Sequence, residues 1–535
     1  MTSPMTRRSV LASTAALTTA AALASCGADD DGNEVQEKID NPGDNINAEG
    51  LPIVEEQVTL TFMSGRGPTT AEDWNEVGCM KEAEKLTNIH VDFGLAPSDG
   101  VGEKRNLALT SGDYPEVFYR TGIPAGDIAK YGEQGTFVPL NDLMDEYMPN
   151  LTAIMDDNPT IRDGLTFPDG HIYSAPQIYD KDFVGMRYMY KLWARQDWLD
   201  DFGMDVPKTL DEYEAYLEEA VNTVDGAIGI ADASKFGDTL ACLYGSFGVG
   251  NKGTAAGKVD LDEGSGELRY FPIADEYREL LEYLNGLYGR GLILEDIFSI
   301  DRAKFNTFGT DGLLASCATQ TPAGFFGDEG DNYVPLRPLT KTSGDAPVWH
   351  AVRSELVGGG NFVMTDRCEH PIEAARWMDF WYSEEGARMF FMGVEGESFE
   401  EVDGRYELLP EITDGQSIGD GLKPYALYGG GSYPGWATDK WFRGVENTPQ
   451  AIEGSELVKE YAIDDVWPAF TFTAEESEMM STIGNDIDKY TDESRDAFIT
   501  GQMALSEWDD YVQTLEEIGL PEYMEAQQAA HERRG

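Results

Sequence analysis

Histidine and cysteine are scarce in this chain, with five of each among 535 residues. His90, His171, His350, His370 and His531 show no metal-ligating spacing, and no HExxH occurs. There is no Gly-x-Ser-x-Gly and no phosphate loop ending in Gly-Lys-Ser/Thr. A metal, a cofactor and a catalytic nucleophile are therefore not expected. One Gly-x-G-x-x-Gly string, Gly248 to Gly253, precedes a hairpin pattern instead of opening a helix, and reads as a loop. Basic residues are also few. Lys and Arg total 39 against 98 Asp and Glu, a net charge of −59. Such a surface repels nucleic acid phosphates and anionic headgroups, so neither is an expected partner. The same acid excess guarantees carboxylate pairs by chance, so a glycosidase stays open as an alternative without any residue pointing to it.

No apolar run reaches the roughly 20 residues of a membrane span. What stands at the front is an export signal. Arg7-Arg8 precede an alanine-rich stretch from Val10 to Ala24, which ends in Leu23-Ala24-Ser25-Cys26. Paired arginines ahead of a mild apolar region point to twin-arginine export. Leu-Ala-Ser-Cys resembles a lipobox, whose cysteine is lipidated after cleavage. Residues 1–25 are expected to be the signal peptide and Cys26 the lipid anchor, on the extracytoplasmic face of a cell membrane. Residues 28 to 50 hold eight acids, one lysine and no aromatic. Residues 26–50 are thus expected to form a flexible acidic tether, because little apolar surface offsets the entropy of ordering. Cys79, Cys242, Cys317 and Cys368 remain, either as up to two disulfides or as buried thiols.

The body begins with period-two strands separated by helical patterns. Val58 to Phe62, Ile89 to Phe93 and Glu116 to Arg120 alternate, with helices around Trp74 to Leu86 and Arg105 to Leu109 between them. That order specifies a parallel α/β sheet, whose ligands sit beyond the carboxyl ends of the strands. Capping boxes open helices at Thr209-Leu210-Asp211-Glu212 and Thr473-Ala474-Glu475-Glu476. Gly257 to Phe271 reads as a hairpin, and a stripe from Trp508 to Ile518 as a helix ending at Gly519.

Several segments, in order, resemble one family. They are Gly112-Asp113-Tyr114-Pro115-Glu116-Val117, Phe137-Val138-Pro139-Leu140 with Tyr147-Met148-Pro149-Asn150, and Pro168-Asp169-Gly170-His171-Ile172-Tyr173-Ser174-Ala175-Pro176. Arg195-Gln196-Asp197-Trp198-Leu199, Pro207 to Tyr213, Gly393 to Gly396 and Trp508 to Val512 continue the series. Together they resemble extracellular solute-binding protein family 1, in its large lipoprotein branch. The resemblance implies a periplasmic-binding-protein-like type II fold, two α/β lobes joined by a hinge, with residues 51–178 and 333–383 in lobe 1 and residues 179–332 and 384–535 in lobe 2. It further implies an ABC importer component that binds a carbohydrate, first of all an oligosaccharide, hands it to permease subunits, and acts as a monomer without catalysis. A surface sensor or adhesin on the same lobes is the other alternative. Many members carry a calcium loop after the helix corresponding to Thr209 to Val221. Asn222 to Ala227 is too short and has one carboxylate, so no calcium is expected there.

A sugar needs flat aromatics and forked polar groups. Trp436 lies in a glycine-rich segment without helical or strand period, and reads either as a displayed platform or as an anchor of its loop. Arg66 and Arg120 follow strand ends, Gln177 and Tyr179 lie at the implied crossover, and Trp349 lies in the returning segment. These six are the candidate ligand residues. Arg195 reads as a structural partner of a nearby carboxylate.

Overall fold

The computed structural model describes residues 31–47, 49–414, 417–428 and 432–534. Strands Val58–Arg66, Ile89–Pro97 and Val117–Tyr119 lie parallel, with Phe362–Met364 antiparallel at the edge. The alternation that marks the first strand lasts only to Thr61; from Phe62 to Gly65 every residue is buried. Both faces are covered there, by helices on either side, as parallel sheets require. A second sheet runs Tyr333–Pro335, Lys191–Arg195, Leu314–Thr319, Ile228–Asp232. Its central strands are buried throughout.

A third, small sheet joins the two. Gln177–Tyr179 is its middle strand, flanked by antiparallel Leu356–Gly358 and parallel Gly435–Ala437. The chain therefore crosses between lobes three times. One apolar core gathers residues between Val35 and Met189 and between Leu356 and Phe442; another gathers Leu192 to Val352 and Val458 to Tyr523.

These cores divide the chain differently from the boundaries drawn at 333 and 383. Tyr333 pairs with Arg195 and its hydroxyl donates to the Leu314 carbonyl at 2.6 Å, so residues from 333 to 352 stay with the second lobe. Phe390, Phe391 and Met392 pack into the first core, which keeps the segment after 383 there until the third crossing. The acidic tether also needs correction. Asp31–Asp40 is a helix, with Val35 and Ile39 buried at i and i+4 against helix Pro371–Phe380. Lys38 Nζ donates to the Cys368 carbonyl at 3.4 Å. Two apolar residues on one face were enough to dock a segment whose average composition is that of a solvated leash.

Local signals elsewhere match the structure. Thr209 and Thr473 form reciprocal capping boxes with Glu212 and Glu476. Val259–Leu261 pairs with Leu268–Tyr270, and Gly519, at φ 127°, ends helix Trp508–Ile518. The four cysteines in the described region are free and buried. Burial pushes the Cys79 thiol up to about 12, so it is held protonated and unreactive. No helix among the described residues is long and apolar enough to cross a membrane.

Candidate functional site

Arg120 is the centre of the site. It follows strand Val117–Tyr119 and holds a left-handed backbone, φ 54°, which costs a non-glycine residue roughly 1–3 kcal/mol. Its amide donates to Asn361 O at 2.7 Å, and its guanidinium donates to the Leu427 and Ser432 carbonyls at 3.2 and 3.3 Å. The guanidinium carbon lies 5.5 Å from the Trp74 ring centroid. A Cβ on Gly65 would come within 2.3 Å of Arg120 O, so the turn beside it admits only glycine. Strain of this kind persists where surrounding contacts over-determine it.

Around Arg120 lies a set of polar atoms without partners. Thirteen buried side-chain nitrogen and oxygen atoms among the described residues make no hydrogen bond, and six belong to this one knot: Ser64 Oγ, Trp74 Nε1, Tyr119 Oη, Thr121 Oγ1, Asn361 Oδ1 and Tyr433 Oη. Ser64 is the register neighbour of Tyr119, whose ring centroid is 6.2 Å from that of Trp74. Gln177 lies beside the Tyr433 hydroxyl without completing a hydrogen bond. Each orphan costs about 1–3 kcal/mol of unrecovered desolvation. Four hydroxyls, one N–H donor and one amide oxygen, concentrated at the carboxyl end of a parallel sheet, match a ligand rich in hydroxyls.

The hinge sheet closes this space. Side chains alternate along a strand, so Gln177 and Tyr179 share one face while Ile178 and its register neighbour Trp436 share the other. On the Gln177 face, the Arg353 guanidinium sits 5.1 Å over the Tyr179 ring. Tyr179 also feels Glu446, and Tyr428 feels both Glu446 and Arg120. Beyond them the second lobe presents Tyr190, Asp238 and Arg302. Burial, then the neighbouring Asp232, pushes Asp238 up to about 7 against the pull of Arg302 and Arg353. Asp232 itself is saturated by Ser234, Phe236 and Thr239. Burial raises the tyrosine hydroxyls of Tyr179, Tyr190 and Tyr428, so they remain proton donors at neutral pH.

Of the six candidates, Arg66 is half-buried at the end of its strand without a side-chain hydrogen bond. Arg120, Gln177 and Tyr179 are gathered around Tyr433. Trp436 is not. It faces the reverse of the hinge sheet, its ring 5.3 Å edge-on from Trp441. Trp349 lies in the core of the second lobe, its backbone paired with Tyr461 and Ile463, apart from the group around Arg120. Arg195 is ion-paired with Asp197 and Glu329 at 2.6 and 2.8 Å, as its structural reading required. Cys26 lies outside the described residues. Trp74, Tyr119, Thr121, Asn361, Tyr428, Tyr433 and Arg353 adjoin the same group, and no sequence signal singles them out. Among the described residues no cluster of His, Cys, Asp and Glu could hold a metal ion.

The fold is shared with known proteins. Residues 67–388 match the model of the bacterial extracellular solute-binding protein family. The fructooligosaccharide ABC transporter substrate-binding protein FusA of Streptococcus pneumoniae is 27% identical over 537 residues, 95% of each chain. A solved structure of FusA from S. pneumoniae, an EF-hand mutant in complex with fructo-nystose, superposes with a TM-score of 0.69 at 26% identity, covering 89% of this chain and 99% of that one. An extracellular solute-binding protein from Bifidobacterium longum subsp. infantis shares the fold, with a TM-score of 0.76 at 20% identity over 89% of this chain and 98% of that one.

Proposed function

The chain belongs to the bacterial extracellular solute-binding protein family, and we propose that it is the substrate-binding lipoprotein of an ABC importer, taking an oligosaccharide between its lobes. The knot of unpartnered hydroxyls around Arg120 carries this reading. A sugar offers donors and acceptors on every carbon of its rim, and its C–H faces suit the tyrosine and tryptophan rings nearby. The likeness to FusA, whose name states a fructooligosaccharide ligand, supports a carbohydrate and, within that class, fructose-containing chains as first probes. Arg66, Arg120, Gln177 and Tyr179 act as ligand residues, joined by Arg353 and Tyr433. Lobe closure is what a permease reads, and the ligand leaves chemically unchanged. Acyl chains on Cys26 hold the protein, a monomer, on the outer face of the membrane.

The test exploits the orphan atoms. Removing a buried hydroxyl that has no protein partner leaves the ligand-free fold unharmed or slightly more stable. If that hydroxyl binds sugar, the same change weakens binding. Ser64→Ala and Tyr433→Phe should each keep or raise the melting temperature while lowering affinity for kestose, nystose or another glycan found by screening. Loss of one hydrogen bond, about 0.5–1.5 kcal/mol, corresponds to roughly 2- to 12-fold in Kd by calorimetry. Unchanged affinity in both variants refutes the placement of the site. Cleavage products after long incubation at stoichiometric concentration refute a pure binding role.

A further inference from the structure

Trp436 has a place of its own. On the reverse face of the hinge sheet a cavity of about 330 Å³ opens between the hinge strands and the first-lobe helices Pro149–Asp157 and Pro159–Leu165. Its volume lies at the lower end of small-ligand sites, roughly 300–1,000 Å³. Trp436, Ile178, Ile154 and Ile161 make its apolar wall. The indole of Trp436 is fixed in place, edge-on to Trp441, whose Nε1 donates to Trp436 O at 3.3 Å. Alternation along Gly435–Ala437 puts Trp436 with Ile178 and opposite Gln177, while Tyr179 lines the cavity as well and marks where it adjoins the cleft.

The rim is polar and partly unengaged. Asn158 accepts from Thr160 through Oδ1, leaving its amide nitrogen without a hydrogen bond. Asp180 accepts from the Asp182 amide with one oxygen and has the other open. Glu384 is exposed and makes no side-chain contact. Asp157 and Glu355 are already paired, with Lys181 and Arg187. In a chain with 98 acids, carboxylates at a rim do not by themselves select a cation. The rigid indole beside three isoleucine and alanine surfaces does discriminate, because it offers a flat apolar face to a flat apolar face. We infer that this cavity is a second carbohydrate site, sized for one or two sugar rings, with Trp436 under the C–H face of a ring and Asn158, Asp180 and Glu384 on its hydroxyls. A ring seated there touches two hinge strands and two first-lobe helices at once.

Ligand-observed saturation-transfer NMR tests this with glucose, galactose, fructose and sucrose, and with putrescine as the cationic probe. Four proteins are compared: wild type, Trp436→Ala, Ala153→Trp, and the cleft variant Ser64→Ala/Tyr433→Phe. Ala153 is exposed at the cavity mouth, so a tryptophan there fills the cavity without disturbing a core. The expected result is a sugar signal that persists in the cleft variant and falls at least fivefold in both Trp436→Ala and Ala153→Trp. A signal lost in the cleft variant but kept in the other two places all sugar in the cleft and overturns the inference, leaving the proposed function intact. No sugar signal in the cleft variant, or a signal from putrescine alone, also overturns it.

Discussion

Gly164 lies where the two lobes meet, and enlarging it should wedge them apart. It sits in helix Pro159–Leu165 of the first lobe. A Cβ there would stand 2.7 Å from Leu356 Cδ2 and 2.8 Å from Pro468 Cβ and Cγ. Leu356 can turn its methyl aside, but the Pro468 ring cannot yield without moving its segment. That segment belongs to the second lobe, where the Trp467 amide donates to Lys252 O at 2.9 Å, and it reaches across to the first, where Thr471 Oγ1 donates to Thr166 O at 2.8 Å. Overpacking of this kind costs about 1–3 kcal/mol. If opening parts the seam, the cost falls on the closed arrangement alone. In the open form alanine for glycine in a helix gains about 0.5–1 kcal/mol. A differential of about 2 kcal/mol multiplies the open population roughly 30-fold, and apparent affinity falls by up to that factor. Calorimetry of Gly164→Ala should show a weaker Kd, small-angle scattering a larger ligand-free radius, and the melting temperature should hold. Unchanged affinity with a lowered melting temperature refutes the argument, because the seam would then be fixed core.

Two further outcomes are expected. Lys191 is fully buried, its Nζ donating to Met189 O, Ala451 O and Ser455 Oγ, and burial pulls its pKa from 10.5 down to about 7. A depressed lysine contributes stability present above its unfolded pKa and lost as pH falls through the folded one. Denaturant unfolding should therefore show the wild type gaining about 3 kcal/mol over Lys191→Met between pH 7 and pH 9.5, and a flat difference would count against a buried ammonium. Cys26→Ala should abolish acylation and shift the protein from the detergent phase to the aqueous phase; an unmodified N-terminus in the wild type, by mass spectrometry, ends the lipoprotein reading.

Long regular elements were legible because their periods repeat. Val58 to Phe62 and Ile89 to Phe93 alternate over enough residues to specify strands, and a helix between them forces parallel pairing. The lobe boundaries were not legible, because strands Tyr333–Pro335 and Gly435–Ala437 have three residues each and no period. The same brevity hid the face on which Trp436 projects. Trp74, Tyr119 and Tyr433 are buried aromatics, and sequence gives such residues to a core. What sets them apart is a missing hydrogen bond, which exists only once the partners of every neighbour are known. The place of Arg120 at the end of a parallel strand was legible, because that is a position pattern alone can assign.

The docked helix Asp31–Asp40 bears on how a protein anchored at Cys26 would meet a permease. With lipids on Cys26, a leash free to residue 50 would have a contour of about 85 Å, whereas the steps from Cys26 to Asp31 reach at most about 18 Å. Search volume scales with the cube of reach, so the shorter radius raises the local concentration at a permease next to the anchor about a hundredfold. It would also deprive a protein anchored at Cys26 of distant permeases, except by lateral diffusion of the anchor. Val35 and Ile39 pin this helix to the first lobe, so an anchor at Cys26 would hold that lobe nearest the bilayer. Delivery from such an anchor would be a two-dimensional encounter with the orientation already chosen.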